Sequence, residues 1–350
     1  MYRLKQTLLN YLFILITLLL LWKILDSRRE CPTSKDKRGD HHVDVDPWNI
    51  NDHNPREPII LDNGRDRNHM QVNFDPLRVP ELDQTNLKED ILHTLEPGVK
   101  GQDGWGPHKL AVIVPFKNRF EELKEFVPYI NDYLNRKKIK HAIYVINQVD
   151  NHRFNRASLI NIGFQAAANG SCDYLAMHDV DLLPVNVDLN YGFPERGPFH
   201  VAAPHLHPKY HYKTFVGGIL ILSMKQFEDL NGLSNMFWGW GREDDEFYMR
   251  IVDKGYKIFR HGKDIKTGYK TFHHIHGPER KRDYAKLNGQ KKAMFSRDLK
   301  TGLDTLKYEL VKSQLLTIDG HPCNVIDVKL VCDYQLTPWC DLPTKRKKGT

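Results

Sequence analysis

The chain has 350 residues, enough for one large or two ordinary domains. Its formal net charge of +7 is spread through a polar N-terminal region and the C-terminal run Lys345-Arg346-Lys347-Lys348. No nucleic-acid-binding module and no internal repeat accompany that charge, which suits an acidic glycan, a membrane surface or plain solubility.

Residues 1–5 read as a short cytosolic tail carrying Arg3 and Lys5. Residues 6–25 follow as a Leu- and Ile-rich run, uncharged from Gln6 to Trp22. A span takes about 20 residues, and Lys23 near the end of the run can snorkel to the interface. No small-residue cleavage site follows Trp22, which favours a retained signal-anchor over a cleaved signal peptide. Lys23, Arg28 and Arg29 offset Arg3 and Lys5, so charge alone orients the segment weakly. With everything else C-terminal to it, the expectation is a single-pass type II membrane protein.

Residues 26–107 turn to Asp, Asn, Arg, His and Pro with scattered hydrophobes, a composition that cannot bury enough apolar surface to order itself. They read as a luminal stem before a folded domain at 108–343, with 344–350 a basic tail. Cys323, Cys332 and Cys340 crowd the end of the domain, predicting at least one disulfide there in an oxidising lumen. Neither they nor Cys31 and Cys172 show the paired spacing of a zinc site. Asn169-Gly170-Ser171 is a glycosylation sequon, usable only in a lumen.

Within the domain, Leu110–Pro115, His141–Ile146 and Tyr174–Met177 are short apolar runs suited to buried parallel strands. Glu121–Leu134 and Ala157–Asn169 read as the helices between them, which predicts an α/β domain with a mainly parallel sheet. Ligands of such sheets collect beyond the carboxyl ends of the strands. The polar clusters fall there: Lys117 and Arg119, then Arg153 and Arg156, then Asp179-Val180-Asp181. In an extended segment the two carboxylates of Asp179 and Asp181 would face one way, as divalent-cation ligands bridging a diphosphate would need. By the same logic His274 and His276 would share a face, with His273 opposite. Two imidazoles and a carboxylate make a mixed nitrogen and oxygen site, better matched to manganese than to magnesium or calcium, with zinc the chemical rival.

Phe237-Trp238-Gly239-Trp240-Gly241-Arg242 runs directly into Glu243-Asp244-Asp245-Glu246. A pyranose stacks its apolar face on indole and bonds carboxylates with its hydroxyls, so the run suits a sugar site; a buried turn followed by an acidic first helical turn is the other reading. Glu243–Asp253, closed by Gly255, reads as that helix. A carboxylate in its first turn is placed to accept a hydroxyl proton.

Val114-Pro-Phe-Lys-Asn-Arg119, Phe154-Asn-Arg156, Asp179-Val-Asp181, Val216-Gly-Gly218 and Phe237-Trp-Gly-Trp-Gly-Arg-Glu-Asp-Asp245 occur in an order found in the β-1,4-galactosyltransferases. From about His108 to Cys340 the chain resembles that family, type II topology included. His274-x-His276 and Tyr210–Gly218 resemble its branch that acts on xylose. The resemblance implies a GT-A-type fold in a Golgi membrane protein, inverting Mn²⁺-dependent transfer of galactose from UDP-galactose, and xylosylated proteoglycan core proteins as acceptors. It implies that Pro115, Phe116, Lys117, Asn118, Arg119, Phe154, Asn155 and Arg156 hold the nucleotide, with Asp179 and Val180 beside it. Asp181, His274 and His276 would ligate the metal, and Asp244 would be the base at the acceptor 4-hydroxyl. Arg242, Glu243 and Asp245 would hold the acceptor, and Tyr210 and Trp240 would line the sugar sites. Lys117 stands where many relatives carry Arg. The basic segment through Arg282 resembles a loop that closes over donor, with Gly277-Pro278 as its hinge. The alternatives are the same chemistry on N-acetylglucosamine, a glycan-binding module without turnover, and a metal hydrolase.

Overall fold

Strand alternation divides the core. The computed structural model describes residues 105–343 apart from 263, 278 and 279. In strand β1 (Lys109–Phe116), Leu110, Val112 and Val114 pack on one side of the sheet, while Ala111 and Ile113 pack on the other. Helix α1 (Phe120–Arg136) covers the first side with Phe126, Ile130 and Leu134. Helix α2 (Arg156–Asn169) covers the second with Leu159 and Ile160. Gly163 lets α2 lie close, because a β-carbon there would meet Ile113 Cγ2 at 2.3 Å.

β1 pairs in parallel with β2 (Lys140–Gln148) and β3 (Tyr174–His178), and β2 pairs in parallel with β10 (His321–Leu330). Around this parallel centre the sheet is mixed. β6 (Ile219–Ser223) is antiparallel to β3, and β9 (Tyr308–Ile318) is antiparallel to β10. β5 (Phe199–His200) is antiparallel to β6 and parallel to β7 (Phe259–Arg260). Four of the seven pairings in this eight-stranded sheet are therefore parallel. A separate antiparallel ribbon joins β4 (Leu182–Pro184) to β8 (Phe272–His274). Three further helices are α3 (Met224–Asp229), α4 (Glu243–Asp253) and α5 (Gln290–Met294).

Cys332 and Cys340 form a disulfide, whereas Cys172 and Cys323 are buried free thiols. The cytosolic tail, the anchor at 6–25, the stem up to 104, Cys31, and the basic tail at 344–350 lie outside the described residues. Among the described residues no helix is long and apolar enough to cross a membrane.

Candidate active site

The carboxyl ends of β1 and β3 open on one side of the sheet. β1 ends in buried Pro115 and Phe116, and the chain then turns through Asn118, whose φ of +54° is a conformation Asn tolerates. Arg119 follows and reaches across to the turn after β3.

That turn holds Asp179, Val180 and Asp181. It is not the extended segment expected from the sequence: Leu182 N–H closes on Asp179 O at 3.4 Å, and the reversal carries the chain from β3 into β4. The two carboxylates still border one site, but through different partners. Arg156 Nη2 lies 2.7 Å from Asp179 Oδ1, while Asp181 faces the histidines. Val180 between them is buried.

The β4–β8 register pairs Leu182 with His274, and Ile275 N–H donates to Asp181 O at 2.8 Å. His276 Nδ1 thereby lies 3.1 Å and His274 Nε2 3.8 Å from Asp181 Oδ2, with the two imidazoles stacked 5.4 Å apart. All three ligand atoms lie within 4.8 Å of one another. His273 is exposed, turned away as alternation requires. Burial works against an ionised Asp181, yet His276, His274 and Arg119 outweigh it and hold the carboxyl below its ordinary pKa. Burial also lowers the His274 pKa, leaving a neutral imidazole with a lone pair to offer. An ionised carboxylate and two converging imidazoles make a mixed oxygen and nitrogen set that fits a divalent transition-metal cation such as Mn²⁺. A second grouping, His152, Cys340 and Asp341, has its sulfur in the disulfide and is not comparable.

The acidic cluster opens α4 as expected, preceded by Arg242 in a left-handed conformation with φ +78°. Crowding and burial dominate here over the helix N-terminus. Burial, then Asp245 and Glu243, hold the Asp244 pKa well above its ordinary value, and burial also raises that of Glu243. Asp244 Oδ1 accepts from Asp245 N–H at 3.0 Å. Glu243 Oε2 is buried with no hydrogen-bond partner among the described residues, an acceptor suited to an incoming hydroxyl. Tyr212 Oη donates to Asp245 Oδ1 at 3.1 Å. Arg156 ties this helix to the metal turn, since its Nη1 lies 3.9 Å from Glu243 Oε1. Burial opposes the charge on Arg156, but Asp179 and Glu243 outweigh it and keep the guanidinium protonated.

The two tryptophans of the aromatic run divide the work. Trp238 is buried in the core, whereas Trp240 is 40% exposed, edge-on to Tyr284 with ring centroids 4.9 Å apart. Arg282 lies over both Trp240 and Tyr210, 5.3 and 6.0 Å from their centroids, so the three form one aromatic and cationic wall. Mid-segment, Arg280 donates to both carboxylate oxygens of Glu122 at 2.5 and 2.7 Å. Pro278 of the expected hinge lies outside the described residues.

Other residues singled out from the sequence have scaffold partners. Lys117 Nζ donates to the carbonyls of Asp150 and His152 at 2.9 and 2.6 Å. Asn155 caps α2 by accepting from Ser158 N–H and donates to Asn235 O, and Phe154 is half-buried against the core. Arg153 departs from the expected strand-end cluster. It is buried, with bonds to Asp283, Gln290 and the carbonyls of Ala285 and Trp339. Tyr212 and Gly217 are the residues that sequence reasoning missed; both lay inside the Tyr210–Gly218 stretch, but nothing in their types told them from their neighbours.

The sheet order and the ligand cluster at its strand ends define a GT-A-like α/β fold. The family described as N-terminal region of glycosyl transferase group 7 matches residues 66–193, and that described as N-terminal domain of galactosyltransferase matches 197–275. Over 237 residues the chain is 59% identical to human beta-1,4-galactosyltransferase 7, covering 67% of this chain and 72% of that protein. It is 47% identical to xylosylprotein 4-beta-galactosyltransferase of Caenorhabditis elegans, covering 67% of this chain and 82% of that one. A crystal structure of a mutant Drosophila beta-1,4-galactosyltransferase 7 with manganese, UDP-Gal and xylobiose superposes with a TM-score of 0.66. That protein is 52% identical, and the match covers 67% of this chain and 100% of the other. The chain belongs to the β-1,4-galactosyltransferase family.

Proposed function

We propose that this protein is a xylosylprotein 4-β-galactosyltransferase, which moves galactose from UDP-galactose to the 4-hydroxyl of xylose on proteoglycan core proteins, with inversion. The observation that carries the reading is the Arg156 bridge, which joins Asp179 of the metal turn to Glu243 of the acidic helix. One guanidinium thus sets the donor side and the acceptor side at a fixed separation.

Asp181, His274 and His276 would hold Mn²⁺, which would supply positive charge to stabilise a departing diphosphate. Pro115 to Arg119 and Phe154 to Arg156 border the nucleotide. On the acceptor side, Asp244 takes the proton of the xylose 4-hydroxyl while that oxygen bonds to the anomeric carbon of galactose. The bond from that carbon to the phosphate oxygen breaks, UDP departs with the electron pair, and attack from the opposite face inverts the centre. Glu243 and Asp245 hold neighbouring hydroxyls, and Tyr212 keeps Asp245 in place. Trp240 and Tyr210 offer ring faces to the sugars, and Arg282 covers them, limiting access of competing water.

Transfer from UDP-galactose to a β-xyloside with and without Mn²⁺, with an N-acetylglucosaminide as competitor, tests the reading. Metal-dependent xylose galactosylation is expected; preferential use of the glucosaminide, or release of free galactose alone, would refute it. We further propose that residues 6–25 anchor the protein in the Golgi membrane as a type II protein with its domain luminal. The apolar run and the polar stem support this. Cleavage of the domain by protease added outside sealed vesicles would reverse that topology.

A further inference from the structure

We propose that a basic cavity beside the acceptor site binds an acidic side chain of the peptide that carries the xylose. This rests on the galactosyl-transfer reading above and adds a peptide subsite to it. The cavity, about 360 Å³, is lined by Pro204, His205, His211, Lys213, Arg260 and Tyr269, with no carboxylate among them.

Arg260 shows why an anion belongs there. Its Nη2 donates to the carbonyls of Phe215 and Lys213 at 3.1 and 3.3 Å, and its Nε donates to His200 Nδ1 at 3.4 Å. His200 Nε2 lies 2.9 Å from Gly217 O and must donate to it, so Nδ1 is the accepting nitrogen and the ring is neutral. Burial agrees, pushing the His200 pKa down to about 3. Among the described residues Arg260 therefore has only neutral partners, although burial already lowers its pKa. A half-buried guanidinium without a counter-charge gains from a carboxylate in bidentate contact. His211 Nδ1 lies 3.0 Å from the Pro204 carbonyl and donates to it, which leaves Nε2 as the polar edge of a ring packed 4.3 Å from Tyr269. Lys213 adds a second full positive charge.

Position identifies the source of the anion. Tyr210 to Lys213 is a wall shared by two sites: Tyr210 faces Arg282, and Tyr212 bonds Asp245 beside the base, while His211 and Lys213 line the cavity. The acceptor xylose hangs on its core protein through its own anomeric oxygen, so the peptide must leave the sugar site along such a rim. An extended peptide advances about 3.3 Å per residue, which brings a side chain a few positions from the sugar into the cavity's reach.

The test compares two xylosylated peptides that differ only in Asp and Glu against Asn and Gln near the sugar-bearing residue, with a free β-xyloside alongside. For the wild-type protein the acidic peptide should have a KM about tenfold lower at equal kcat, the scale of one charge-assisted contact. Lys213→Glu and Arg260→Gln should each bring the ratio of the two KM values close to one. A uniform loss of activity in either variant does not move that ratio. Equal KM values for the two peptides in the wild type, or a preference that survives Lys213→Glu, would overturn the proposal. Failure of the wild type to galactosylate the β-xyloside is a separate result and counts against the transferase reading.

Discussion

A β-carbon on Gly217 would lie 2.6 Å from Asp244 Oδ2 and 2.6 Å from Cε2 of Phe215, so the bare backbone at 217 decides where the proposed base sits. Gly217→Ala should therefore lower kcat by about a hundredfold, the scale of a misplacement near 1 Å. UDP-galactose affinity should change little, because none of the metal ligands is touched. Near-normal kcat in a well-folded variant would show that Asp244 has room to shift without consequence.

Asp244→Asn keeps the shape of the side chain and removes its basicity. Turnover should drop by about a hundredfold to ten-thousandfold, with xyloside still bound. The same variant should be more stable than the wild type at neutral pH. In the unfolded chain Asp244 ionises in the ordinary carboxylate range, whereas in the fold its pKa is raised and it keeps its proton to higher pH. The folded state then binds more protons, so wild-type stability declines as pH rises between those two values. The amide escapes that decline. Melting temperatures should coincide in acid below the ordinary range and separate toward neutrality; a wild type more stable than the variant at neutral pH contradicts the assignment.

His274→Ala and His276→Ala should each abolish most Mn²⁺-dependent activity and weaken Mn²⁺ binding measured by calorimetry, while leaving the melting curve of metal-free protein nearly unchanged. His273→Ala should be mild, since that ring is exposed and outside the triad. Equal losses at 273 and 274 would remove the basis for the coordination.

Arg153→Ala should cost about 3–5 kcal/mol in denaturant unfolding, the usual penalty for removing one member of a buried charged network. Arg153→Lys should recover only part of it, because an ammonium cannot satisfy the four separate acceptors that the guanidinium reaches. A loss below 1 kcal/mol for the alanine variant would mean that water replaces the bonds.

The strands and helices up to β3 were legible because each is a continuous apolar run or helical stretch that packs on its sequence neighbours. Leu110–Pro115 predicts β1 to within a residue at each end. Asp179 and Asp181 were legible as chemistry but not as geometry, since a turn and an extended strand differ in backbone and not in residue type. The metal triad depends on a contact spanning 95 residues, from Asp181 to His276, which only the β4–β8 register creates. Arg153, in the loop before α2, and Arg156, the first residue of α2, sit three apart and look alike in sequence. Burial sends one into the scaffold and leaves the other between two carboxylates. The basic cavity was invisible, because Arg260 joins residues 204–213 only through the short edge strand β7.

The Arg153 clamp gives the basic segment after His276 a mechanical character. Ile275 is stitched to Asp181 at one end, and Asp283 and Ala285 are stitched to Arg153 at the other. Arg280 on Glu122 is a third fastening between these two. With any one of these three points released, the other two would still tie the basic residues to the metal turn, to α1 or to the Arg153 network.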